Sequence, residues 1–246
     1  MTSGFYSFTR GLDMGIFSNF QVIADNFVYF MVGRWPEGPL GGVGQTLYLA
    51  GASCILSFFG GLILGLLSVA KRKWLSLPTM LVINTIRGIP LLMVIFWMYF
   101  LLPAIFGKGF SETRTVILGL TIFTSAYMSQ IVRAGIEGIP KGQMEAAIST
   151  GLTHWQAMVY IILPQGLRNM IPSFVNQFVS LIKDTSLAFI VGVSELTHVG
   201  TQINNRTMAF PTEIFFFIAV IYFIICFAFT SLSRTLEKRL SWRKAI

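Results

Sequence analysis

The chain has 246 residues, 54% of them hydrophobic and only 11% charged, with a formal net charge of +8. Soluble globular chains carry about 25% charged residues, so 18 Lys and Arg with 10 Asp and Glu cannot wet the surface of a soluble protein this long. The apolar content excludes disorder and a collagen-like chain, two cysteines exclude a disulfide scaffold, and an integral membrane protein is left.

The N-terminal segment, residues 1–44, is amphipathic. Phe17, Phe20, Ala24, Phe27 and Met31 recur at helical spacing, with Ser18, Gln21 and Asp25 off that stripe. The pattern suits a helix lying along the outer membrane interface. The alternative is a sixth span over residues 16–32, against which stand Asn19, Gln21, Asp25 and Asn26. A basic-then-apolar leader pattern is not evident, so the first span is expected to direct insertion itself.

A membrane domain is predicted over residues 45–240, followed by a short tail at 241–246. Crossing a bilayer takes about 20 mostly apolar residues, and five runs qualify: about 46–70, 78–102, 115–132, 171–193 and 214–232. Asn84, Arg87, Gly88 and Pro90 interrupt the second, and Lys183 and Asp184 lie inside the fourth. Lys and Arg are retained on the cytoplasmic side. With the C-terminus inside, the inner segments hold Lys71, Arg72, Lys73, Arg87, Arg133, Lys141, Arg168, Arg234, Lys238, Arg239, Arg243 and Lys244. The outer segments then hold only Arg10, Arg34, Lys108, Arg114 and Arg206. The N-terminus is therefore expected outside, and the basic excess marks the inner face of a membrane protein rather than a nucleic-acid surface.

The longest inner segment carries a pattern of its own over residues 138–164. Gly138, Pro140 and Gly142 punctuate its entry, Gln143 to Thr150 reads as a short helix, and Gly151 breaks it. Thr153 then caps a second helix that reaches Leu163 and Pro164. A helix, a glycine and another helix make a knob able to enter a groove on another protein. Gly151 is expected because a Cβ there would clash or straighten the bend.

Glu145, Ala146, Ala147, Gly151, Ile161, Leu163 and Pro164, at these spacings, resemble the EAA loop of ABC-importer permeases. Gly44-Gln45-Thr46-Leu47, Arg87-Gly88-Ile89-Pro90-Leu91, Arg133-Ala134-Gly135-Ile136 and Lys183-Asp184-Thr185-Ser186-Leu187 are similar to the polar-amino-acid branch of that family. The resemblance implies an all-α integral membrane fold of the type I ABC-importer permease kind, with five transmembrane helices in a bacterial inner membrane. It also implies a dimer with itself or a related permease, an ATP-binding-cassette ATPase dimer docked on the knob, and a periplasmic solute-binding protein. The implied substrate is a polar amino acid, glutamate, aspartate and glutamine among the candidates. ATP and Mg would act on the partner ATPase, with no cofactor on this chain. In keeping with that, no phosphate-binding G-x-x-x-x-G-K-[ST] run occurs, and Gly107-Lys108-Gly109 lacks its spacing.

Charges within the spans are the candidates for a substrate path. One at mid-bilayer costs about 2.5–3.5 kcal/mol on the insertion scale, so Lys183 and Asp184 should face the bundle interior. Adjacent residues sit about 100° apart on a helix, so the two need partners from elsewhere. A zwitterionic amino acid supplies them: its carboxylate to Lys183 and its ammonium to Asp184, beside Thr185 and Ser186. The competing assignment is an ion pair such as Asp184 with Arg87, which itself either serves the path or reaches toward the interface. Gln130 and Asn176 are pore-lining candidates or interhelical hydrogen-bonding groups. Cys54 and Cys226 read as small fillers, and His154 and His198 fall on opposite sides of the membrane, which argues against a metal site. Two other functions compete: an ion-coupled secondary transporter using Asp184, and an intramembrane enzyme.

Overall fold

A computed structural model describes residues 20–107 and 110–242 of the chain, with side chains described as far as residue 235. Expectations resting on Phe17, Ser18, Arg10, Lys108, Arg243 and Lys244, and on the side chains of Lys238 and Arg239, lie outside the described residues. After a helical stretch at residues 20–25, the helices are α1 (Phe27–Val32), α2 (Gly42–Ser68), α3 (Lys73–Arg87), α4 (Leu91–Phe106) and α5 (Glu112–Glu137). They continue as α6 (Lys141–Ser149), α7 (His154–Ala157), α8 (Leu163–Asp184), α9 (Leu196–Thr207) and α10 (Pro211–Trp242). A π-helical stretch, Met158–Ile162, joins α7 to α8, and a 3-10 stretch, Thr185–Val191, follows α8.

Among the described residues, four runs are long and apolar enough to cross a membrane: Gly42–Ser68, Glu112–Glu137, His154–Val191 and Pro211–Thr235. The pair α3 and α4 makes a fifth only as a broken unit, bent by 102°. The bend falls at Gly88 and Pro90, inside the interrupted run expected over 78–102. Pro90 has no N–H to continue α3 and starts α4 instead, and the residue before a proline is driven out of the helical region. With 15 and 16 residues at about 1.5 Å each, either half falls short of the roughly 30 Å hydrocarbon core.

The fourth run departs from expectation at its start. The expected stop at Leu163 and Pro164 does not occur, and His154–Val191 is one run of 38 residues. An α-helical Pro164 would clash with the carbonyl one turn back. The wider π turn, in which Leu163 N–H donates to Met158 O, makes room for it.

The chain divides into two compact units. One comprises residues up to 48 together with 185–225, and the other 49–184 together with the chain from 226 onward. In the first, Phe30, Leu196, Val199, Ile203, Ile214 and Ile218 form a buried core. Phe30 meets Phe217 edge-on at 5.0 Å, and Tyr29 donates to Gln202. Residues 20–32 are two short helical pieces joined at Asn26, not one helix of spanning length. The stripe residues Phe20, Ala24 and Phe27 are exposed while Ile23 and Phe30 are buried.

In the second unit α3, α4 and α8 all pack on α5. The α2 and α5 backbones approach closely enough that a Cβ on Gly61 would lie 2.5 Å from Met128 Cβ, and one on Gly65 2.5 Å from Val132 Cβ. Small residues at such crossings allow tight packing where lipid gives no hydrophobic drive. On α10, Phe229 packs on Phe178 of α8 at 5.0 Å, and Ser233 Oγ donates to Pro172 O at 3.4 Å.

Candidate coupling loop and polar helix face

The loop between α5 and α8 is built from local chemistry. Pro140 stands at the N-cap of α6 with φ −55° and ψ 134°, the non-helical backbone from which the helix starts. Thr150 Oγ1 donates to Ala147 O at 2.8 Å and Ser149 Oγ to Glu145 O at 3.0 Å, closing the last turn. Gly151 then reverses the chain at φ +89°. A Cβ there would meet nothing within 4 Å, so the left-handed backbone requires the glycine and the expected clash is absent. Thr153 caps α7 in a reciprocal box: Gln156 N donates to Thr153 Oγ1 at 3.3 Å, and Thr153 N to Gln156 Oε1 at 2.9 Å.

The seven motif residues divide by direction. Met158 and Ile162 lie in a buried cluster with Val132, Ile136 and Met170, against which Met144, Ile161 and Leu163 pack. Ala147 is buried as well, whereas Glu145, Ala146, Gly151 and Pro164 are exposed. The inward set fixes the loop to the end of α5, and the outward set forms its free surface. Glu145 has no ion pair among the described residues. Beside the motif, Ile148, Trp155 and Tyr160 are exposed, the two aromatics at 67% and 68%. They extend the free surface beyond the residues that the motif names.

A polar face runs along α8. Asn169, Ser173, Asn176, Ser180 and Lys183 follow one another at intervals of four and three residues, so they lie on one side of the helix. All are exposed except the half-buried Ser180, whose Oγ donates to Asn176 O at 3.3 Å. Met170, Val179 and Ile182 are buried. Asn169 and Ser173 also line an open cleft of about 230 Å³ with Ile131, Ala134, Gly135, Gly138 and Met170. Of the path candidates, Asn176 and Lys183 share this face. Asp184 is half-buried where α8 ends, and Thr185, buried, and Ser186, half-buried, begin the 3-10 stretch. Gln130 is half-buried on α5. Asp184 and Arg87 form no ion pair among the described residues; the Arg87 guanidinium carbon stands 5.2 Å from the centre of the Tyr127 ring. Ser173 and Ser180 were legible as partners of Asn176 from their spacing within the run 171–193, whereas Asn169 joins the face only because the helix runs unbroken from the loop.

The family model described as binding-protein-dependent transport system inner membrane component matches residues 57–242. The chain is 44% identical over 196 residues to the probable glutamine ABC transporter permease protein GlnP of Bacillus subtilis, covering 79% of this chain and 89% of that one. It is 36% identical over 216 residues to the glutamine transport system permease protein GlnP of Escherichia coli, covering 84% and 95%. The L-cystine transport system permease protein TcyB of Bacillus subtilis is 37% identical over 204 residues, covering 81% and 85%. Among solved structures, an amino acid ABC transporter crystallised with histidines superposes with a TM-score of 0.74 at 32% identity, covering 80% of this chain and 92% of that chain. These findings agree with the family expected from Glu145 to Pro164. The chain belongs to the inner membrane components of binding-protein-dependent transport systems and is a multi-pass protein of the inner membrane.

Proposed function

We propose that this chain is the membrane-spanning permease subunit of an ATP-driven importer of polar amino acids, oriented with its N-terminus outside and its C-terminus inside. The α8 face carries this reading. A helix with the length and apolarity to cross a bilayer presents five polar side chains in line, Lys183 among them. Hydrocarbon does not tolerate such a face, so protein and a solute path must cover it. A second permease copy, identical or related, supplies the cover, and the substrate supplies transient partners. The carboxylate of an amino acid suits Lys183 and its ammonium suits Asp184. The names of the relatives, which include glutamine and cystine systems, favour a polar amino acid.

Energy comes from a separate ATPase dimer holding ATP and Mg, which docks on the free surface of α6 and α7. Glu145 meets a basic residue there, since the chain offers it none among the described residues. The ATP-bound partner drives transport by binding one permease conformation more tightly than the other. A periplasmic solute-binding protein delivers substrate to the outer segments, about 103–114 and 195–212. The basic inner segments serve orientation and contact with anionic lipid and the ATPase.

Purification of the intact complex, followed by ATPase assays over the twenty amino acids with the binding protein present, tests this. The expected result is stimulation by one or a few polar amino acids. A chain that purifies without any ATPase and moves amino acids down an ion gradient would overturn the reading.

A further inference from the structure

The first unit contains a carboxyl that the transport path does not use. Glu195 is fully buried, at 0% exposure, and precedes α9. Its Oε1 accepts from the His198 N–H at 2.8 Å, and its Oε2 from the Thr197 N–H at 2.8 Å. Oε2 also accepts from Tyr222 Oη of α10 at 3.0 Å, and Thr197 Oγ1 lies 3.4 Å from the same hydroxyl. The backbone on either side ties in α2: Gly42 N donates to Ser194 O at 3.0 Å, and Leu196 N to Thr46 Oγ1 at 3.2 Å. One short stretch thus joins the first turns of α2 and α9 to the middle of α10.

A helix start is ordinarily capped by Ser, Thr, Asp or Asn, and a buried carboxylate ordinarily has a cation. Here no cation pairs with Glu195 among the described residues; Arg206, in the last turn of α9, stands over the Tyr29 ring instead. On α9, His198 turns its Nδ1 to Phe189 O at 3.4 Å. On α10 the facing titratable group is Tyr222, α2 contributes the neutral Thr46, which reaches Leu196 N and the Tyr222 side chain, and the 3-10 stretch has no charged residue. On α1, Tyr29 is engaged with Gln202 and with Arg206, which lies 5.6 Å from its ring. Burial therefore disfavours the charged form while the donors favour it, and burial prevails.

We propose that Glu195 is a positioning residue of the outer end of the permease, a proton-responsive latch that holds α2, α9 and α10 together when neutral and loosens them when ionised. In the neutral form the carboxyl O–H donates to Tyr222 Oη, whose own proton turns toward Thr197 Oγ1, and the two backbone N–H groups keep their acceptors. Burial pushes the carboxyl from its ordinary 4.5 up to about 7. A closed junction thus holds the proton more tightly than an opened, hydrated one. Its stability is greatest below about pH 4.5 and is lost as pH rises to about 7. Calling this end outer rests on the orientation proposed above.

The test is amide hydrogen exchange at Thr197 and His198 in the full chain in lipid nanodiscs, from pH 5 to 8.5, corrected for intrinsic exchange rates. The opening constant should rise about tenfold per pH unit up to about pH 7 and then level off. Glu195→Gln should make it independent of pH. Tyr222→Phe, which removes one donor to the carboxylate, should move the midpoint upward and keeps the test decisive if Glu195→Gln does not fold. Protection in the natural chain that does not change with pH, or the same slope in Glu195→Gln, would overturn the latch. Uptake of labelled glutamine by the reconstituted complex, over the same pH range, separates the two readings. Exchange as expected without uptake sinks the permease reading alone, and ATPase-dependent uptake with pH-independent exchange sinks the latch alone.

Discussion

The guanidinium of Arg87 lies over the ring of Tyr127, 5.2 Å from its centre, and so joins the end of α3 to α5 at the point where the chain turns through 102°. The contact holds the broken pair in place from its polar joint. An exposed cation–π pair contributes about 0.5–1 kcal/mol. Arg87→Ala and Tyr127→Leu should each lower the stability of the purified chain by about that amount. The double variant should lose little more than either alone. Fully additive losses in a thermal double-mutant cycle would mean that the two do not act together.

Gly65 leaves no room for a larger residue. A Cβ there would meet Val132 Cβ and Cγ1, at 2.5 and 2.6 Å, and Ser129 O at 3.0 Å. Gly65→Ala should therefore cost about 1–3 kcal/mol through overpacking, and Val132→Ala should recover part of it. Unfolding in detergent checks this; an unchanged midpoint in Gly65→Ala would show that α2 and α5 are not so close.

Gly151 turns the loop at φ +89° in open space. Gly151→Asp should strain the turn by about 1–2 kcal/mol and displace α6 from α7, leaving the Met158 and Ile162 anchor intact. The complex should assemble, with substrate-stimulated ATPase activity and uptake abolished. Normal uptake would remove this loop from the coupling role.

Asn176 is exposed on the polar face. Asn176→Leu should leave the fold unchanged but reduce transport affinity by about tenfold, the equivalent of roughly 1.4 kcal/mol. Asp184→Asn with intact assembly and unchanged affinity would take that carboxylate out of the substrate site.

Much of this was legible in the sequence because local chemistry decides it. Gly151 and Thr153 announced the turn and the cap of the coupling loop, and α6 falls within two residues of its expected bounds. Gly88 and Pro90 marked the break in the second span, but the angle follows from what α3 and α4 pack against, α5, which no local pattern encodes. Pro164 misled in the other direction, because a π turn absorbs a proline that would otherwise stop a helix. The outer segment 195–212 read as a loop because α9, twelve residues rich in Thr and Asn, draws its stability from Val199 and Ile203 buried in a core assembled from distant parts of the chain. Glu195 was invisible for the same reason: its partner Tyr222 lies 27 residues away, on another helix.

Uptake in proteoliposomes containing the chain and its binding protein, with and without the ATPase subunit and ATP, distinguishes an ATP-driven importer from an ion-coupled carrier. A polar amino acid should accumulate only when ATPase and ATP are both present. Equal accumulation without them, driven by a proton or sodium gradient, would contradict the ATP-driven reading.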